Sequence, residues 1–199
     1  RADRIASKAL SRAAALAENL PLYAYLRKAY GLGERDWLMP TPMFNVINGG
    51  KHADSGLDIQ EFMVVATGVH FFHESLRAGA EIYQVLKKAL SAMHMTVSVG
   101  DEGGFAPQLK DHAAALEILA DAVRQAGYAG RVSLALDAAS SEFYKDGAYE
   151  FERAARTADE MTEIYAGWVK RHGLVSLEDP LAENDWAGWQ KLTKELGKK

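Results

Sequence analysis

The sequence contains no cysteine. That excludes a disulfide framework and any thiolate metal site, and it suits a reducing compartment. It has no basic stripe. With 23 Lys and Arg against 27 Asp and Glu, the net charge is -4, which argues against a nucleic-acid partner. No apolar run is long enough to span a bilayer, and no signal peptide is visible, so no membrane partner is expected. Repeats of fixed period and low-complexity tracts are also missing. The chain opens at Arg1 rather than Met, as expected of an excised, processed or truncated piece or of a sequence with residues omitted. What remains is ordinary globular material, 48% hydrophobic and 25% charged over 199 residues. That is enough for one large domain, or for one and a half small ones.

Along the chain, residues Asp3 to Asn19 are Ala-rich, with Ile5, Leu10 and Leu16 at helical positions. Pro21 suits the first position of a second short helix, which Gly31 and Gly33 end. Trp37 to Pro42 reads as a linker and places a domain break near Met39, giving segments 1–38 and 39–199. Strands are predicted over Phe44–Asn48 and Asp58–Ala66, antiparallel because the connection is short. Phe72, Leu76, Gly79, Tyr83, Leu86 and Leu90 recur at helical spacing, and another helix starts near Asp111. Val132–Asp137 is a third strand. Thr157 and Glu160 form a capping box, and Gly173 stands where that helix stops. Leu174–Glu178 is a fourth strand, and a helix follows over Trp186–Leu196. The order is strand, strand, helix, helix, strand, helix, strand, helix, an α/β arrangement with about four barrel strands.

Two of these strands are apolar runs that end in carboxylates, Asp137 and Glu178. Barrels of alternating strands and helices carry their chemistry at such ends. Alternation puts Ser133, Ala135 and Asp137 on one face and Val132, Leu134 and Leu136 on the other. The bulkier set suits packing under helices, so Asp137 is expected to point inward. In the fourth strand Glu178 shares its face with Ser176. It is taken as the functional acid, with Asp179 fixing the strand end. Two hard oxygen ligands from successive strand ends suit Mg²⁺. Solvated acids at two strand ends, with no metal, fit the residues equally well. Gly100-Asp101-Glu102-Gly103-Gly104 is an acidic turn that would let a carboxyl approach a ligand, or a plain surface turn. Asn48-Gly49-Gly50-Lys51-His52 and Gln60-Glu61 are as ambiguous by themselves. His70, His73, His94, His112 and His172 show no metal-ligand spacing and receive no role.

Taken together, Phe44–Ala53, Ile59–Met63, Val99–Pro107, Leu136–Tyr144 and Ser176–Pro180 resemble enolase, the glycolytic phosphopyruvate hydratase, in order and spacing. The resemblance implies an enolase-type TIM-like barrel, here its first half, preceded by two helices of the amino-terminal domain. It implies a cytoplasmic lyase that interconverts 2-phosphoglycerate and phosphoenolpyruvate with Mg²⁺. Asp137 and Glu178 match two of its three metal ligands. Glu102 matches the acid that helps expel hydroxide, and Glu61 its carboxylate partner. His52 matches the loop histidine that closes near the phosphate, and Gln60 a residue lining that pocket. The family's third metal Asp, catalytic Lys and Arg-Ser segment would follow Lys199. The chain alone is therefore expected to be inactive and to work as a subdomain. Rival readings are a non-catalytic half-barrel that assembles as a homo-oligomer, and one half of a split enolase that needs a complementing half. Relatives in the wider superfamily would carry Lys-x-Lys on the second strand, where this chain has Gln60-Glu61-Phe62.

Overall fold

The structure, a computed structural model, describes residues 2–33, 36–53 and 55–197; the side chains of residues 2–4 and of His52 lie outside the described set. The chain divides into two compact units, 1–39 and 40–199. The first holds helices α1 (Ala2–Ala17) and α2 (Leu22–Ala29). Alanine, the strongest helix former, fills much of α1. Pro21 precedes α2 in an extended conformation, so the helix starts one residue later than expected.

The second unit is built on a four-stranded sheet. Its strands, in spatial order, are β1 (Met43–Asn48), β2 (Glu61–Val65), β3 (Ser133–Asp137) and β7 (Ser176–Glu178). β1 and β2 are antiparallel, as are β2 and β3, whereas β3 and β7 are parallel. Between β2 and β3 lie α3 (Phe72–Ala92) and α4 (His112–Gln125). Between β3 and β7 lies α5 (Ala158–His172), and α6 (Trp186–Leu196) ends the unit. The main core joins Phe62, Val64, Leu134 and Leu136 of the sheet to Leu86, Leu90, Leu116 and Leu119 of the helices. The other face of the sheet carries a small separate cluster of Met63, Val65 and Ala135. Side chains alternate across a strand, and these two clusters are the two faces.

The sequence reading passed over a second sheet, the meander β4 (Tyr144–Lys145), β5 (Ala148–Phe151) and β6 (Ala154–Arg156). Strands of two to four residues have too few side chains to show a period. Its turns are formed by Asp146-Gly147 and Glu152-Arg153, all four residues with positive φ. An Asp-Gly pair between short strands is a hairpin signal. The meander leads into α5, whose caps stand where the sequence places them. Thr157 Oγ1 accepts from the Glu160 amide at 3.2 Å, Glu160 Oε2 accepts from the Thr157 amide at 2.7 Å, and Gly173 ends the helix with φ 64°.

Replacing Thr157 with Ala removes half of this reciprocal cap. Stability is expected to fall by about 1 kcal/mol. Urea unfolding should show a lower midpoint at an unchanged slope; an unchanged midpoint would remove the cap from the account.

Candidate active site

Register builds the site. Glu61 stands opposite Asp137, and Asp137 opposite Glu178. Neighbouring strands lie about 4.8 Å apart, so three carboxylates are set side by side at one level of the sheet. β2 runs antiparallel to β3, which brings its first residue, Glu61, to the end where β3 and β7 finish. Asn48, the last residue of β1, extends the row on the other side of Glu61. Met63, Val65 and Ala135 share this face of the sheet with the acids and form an apolar floor beside them.

Glu102 arrives from a loop. Gly100 and Gly104 close a tight turn, with the Gly100 amide donating to the Gly104 carbonyl at 2.8 Å. Phe105 then hydrogen-bonds along β1, its amide to Val46 and its carbonyl to the Asn48 amide. The Tyr83 hydroxyl donates to the Gly103 carbonyl at 2.9 Å, and its ring stacks on Phe105. Gly104 lies flat on β1, and a Cβ there would stand 2.4 Å from Asn48 Oδ1 and 3.0 Å from Asn45 Oδ1. This seat lets Asn45 Nδ2 donate to Glu102 Oε2 at 3.4 Å. The turn is therefore pinned, not merely pliable.

Glu102 also acts on the Glu61 carboxyl at close range. Two neighbouring carboxyls push one pKa up. Burial first, then the Glu102 hydrogen bond and the charges of Glu102, Asp137 and Glu178, push the Glu61 carboxyl up to about 8. Burial and the charge of Glu178 push Asp137 up to about 6, against the hydrogen bond it accepts from the Ala139 amide at 3.0 Å. The strand ends are fixed sharply. Ala139 and Asp179 follow Asp137 and Glu178 by one or two residues, and both adopt left-handed backbone. The Asp179 carbonyl accepts from the Ser140 amide at 3.0 Å.

The structure thus brings Glu61, Glu102, Asp137 and Glu178 together. Gln60 is half-buried directly before β2, and its carbonyl accepts from the Gly49 amide at 2.9 Å. His52 closes the short turn Gly50–His52, and its side chain is outside the described residues. Sequence reasoning missed Asn45 and Asn48. Asn48 is fully buried, and neither its Nδ2 nor its Oδ1 meets a hydrogen-bond partner among the described residues. Only the resemblance-bearing motif could have flagged it. Among the described residues, no three His, Cys, Asp or Glu side chains converge on one ion-sized position. Nor do the four strands of this sheet carry any Lys, Arg or His. The row is acidic and offers a proton, hard oxygen donors and no built-in cation.

A carboxyl whose pKa is raised by folding keeps its proton after the unfolded chain has lost it. The folded state then binds more protons, and stability declines as pH rises. For Glu61 the decline spans its ordinary value of 4.5 to about 8, with the Asp137 share ending near 6. Glu61→Gln keeps a hydrogen-bond partner for Glu102 and removes one titration. Urea denaturation at a series of pH values should show a flatter decline in this variant than in the parent. Parallel profiles would contradict the buried, crowded row.

Residues 36–199 match the family described as enolase, C-terminal TIM barrel domain. An enolase from Elusimicrobium minutum (strain Pei191) is 51% identical over 193 residues, which covers 97% of this chain and 45% of that protein. The chain therefore spans less than half the length of this relative.

Proposed function

The chain belongs to the enolase family, and from that premise we propose that it is an enolase subdomain carrying the acid pair and two metal-binding carboxylates. One observation carries the reading: Glu61, Asp137 and Glu178 stand in register on three adjacent strands, with Glu102 close enough to raise the first. The open sheet, with helices packed on one face and the acids on the other, is read as the first half of an eight-stranded barrel. α1 and α2 are read as the last helices of the amino-terminal domain. The reaction proposed for the parent enzyme is the interconversion of 2-phosphoglycerate and phosphoenolpyruvate.

Asp137 and Glu178 would hold Mg²⁺, and the donor chemistry fits. Both are hard oxygen ligands, and burial first, then the charge of Glu178, raises Asp137, a cost that a bound cation would offset. When bound, the metal supplies positive charge for the substrate carboxylate as electrons build up beside it. With two carboxylates, it would keep most of its waters and bind weakly. Glu61 and Glu102 hold one proton between them near neutral pH, and Glu102 delivers it to the departing hydroxide. Asn45 orients Glu102 for that transfer. Gln60 lines the pocket, and His52 closes over the phosphate from its loop. Removing the proton from carbon needs a base, and the strands of this sheet offer none with a basic side chain.

A second reading, a half-barrel assembly module, has one observation in its favour. Among the described residues β7 is paired on one side only, and Val175 beside it is exposed. Unpaired edges recruit strands.

A coupled assay with 2-phosphoglycerate and Mg²⁺ separates the two. The chain alone is expected to show no turnover. Mixed with the remaining carboxyl-terminal segment of the Elusimicrobium minutum relative, it should gain turnover, and Glu102→Gln should reduce that by about 10²–10⁴-fold. Turnover by the chain alone would refute the subdomain reading. Silence of the mixture, with light scattering showing a dimer, would favour the assembly reading.

A further inference from the structure

His112 is the first residue of α4 and is buried to 1% exposure. Its spacing along the chain gave no hint of a role. Its ring is stacked between Phe151, with centroids 4.5 Å apart, and Phe62, at 6.3 Å, with Trp168 of α5 at 6.1 Å. Aromatic packing alone would satisfy a Phe at this position. The imidazole is instead fully engaged in hydrogen bonds. Nε2 accepts from the backbone amide of Asp58 at 2.8 Å and from that of Ile59 at 3.3 Å. Nδ1 lies 2.8 Å from Glu152 Oε1. The ring closes through a third residue, because the Glu152 amide donates to Asp58 Oδ2 at 2.8 Å. His112, Asp58 and Glu152 thus form a cycle of hydrogen bonds across contacts of 54, 94 and 40 residues in sequence.

The donors fix the tautomer. Two backbone N–H groups point at Nε2, so that nitrogen must present its lone pair. The ring proton then sits on Nδ1 and is donated to Glu152. The His112 hydrogen bond in turn holds the Glu152 carboxyl below its ordinary range. Glu152 reaches this place because it occupies the β5–β6 turn with a positive φ of 50°. The small second sheet therefore delivers a carboxylate to the base of α4.

The segment that His112 grips is the one that leads into the acid row. Asp58 and Ile59 directly precede Gln60 and Glu61. The loop is tied back to its own start by the Gly50 amide on the Leu57 carbonyl at 2.7 Å and the Gly49 amide on the Gln60 carbonyl at 2.9 Å.

We propose that His112 is a positioning residue: as the Nδ1-protonated tautomer, oriented by Glu152, it locks Asp58 and Ile59, and with them the Gln60-Glu61 pair that follows, at the height where Glu61 meets Glu102 and Asp137. Its consequence for catalysis rests on the enolase reading above. The lock itself does not, and it can be read in this chain without substrate or metal.

The test combines the ring tautomer with amide exchange at pH 7. A long-range ¹H–¹⁵N spectrum of the parent chain should show His112 protonated at Nδ1 and bare at Nε2. His112→Gln places an amide oxygen near the Nε2 position and should keep the Asp58 and Ile59 amides protected. His112→Phe keeps the aromatic packing and removes the acceptor. Exchange of those two amides should then rise roughly tenfold, the equivalent of one net hydrogen bond, while the amides of β3 hold their protection. An Nε2-protonated ring in the parent chain would overturn the proposal even if the Phe variant failed to fold. So would equal protection of Asp58 and Ile59 in the Phe and Gln variants, because packing would then be the whole role.

Discussion

Strand register is the constraint on which the rest depends. A shift of one residue in β2 or β7 would turn Glu61 or Glu178 to the helix side, into a core of Phe62, Val64, Leu134 and Leu136. The apolar residues of that core therefore dictate where the acids stand. Burying the bulky set under the helices forces the acids onto the opposite face, side by side. The price of the arrangement is electrostatic: like charges are held at strand spacing beside Met63, Val65 and Ala135. Burial and these neighbours raise the Glu61 carboxyl to about 8 and that of Asp137 to about 6.

The loops around the row are held by contacts outside the row itself. The glycine turn carrying Glu102 is seated on β1 through Phe105 and Tyr83. The loop carrying Gln60 is held from beneath by His112, with Glu152 and Asp58 closing the cycle. Rigid seats of this kind matter because a proton donor works only within hydrogen-bond reach of its acceptor. The short meander from Tyr144 to Arg156 is the part of the fold whose purpose is least evident until Glu152 is traced to His112.

Much of this was legible in the sequence, for identifiable reasons. The bulky and small sets of residues 132–137 alternate cleanly, so the side of the sheet that Asp137 takes, opposite the helix-packed core, followed from strand geometry alone. The Thr157–Glu160 box and Gly173 are local signals, complete within a few residues, and both appear as expected. The acid row itself needed more than local patterning. The residues offered solvated strand ends as readily as a site, and only the resemblance to enolase favoured the site. What stayed hidden depends on distant contacts. His112 meets Asp58 and Glu152 across 54 and 40 residues, and no spacing rule links them. Asn48 is a polar residue at a strand end until Gly104 is laid against it. The meander was missed although Asp146-Gly147 announced its first turn, because its strands are too short to alternate visibly.

The central claim is that Glu61 and Glu102 share one proton beside a crowded carboxylate row. Carboxyl ¹³C chemical shifts of Glu61 and Glu102, followed through a pH titration of the chain, test it most directly. The account predicts that the pair titrates in two well-separated steps, with the last proton leaving near pH 8. Two independent titrations at ordinary glutamate values would contradict it, and with it the acid role proposed for the pair.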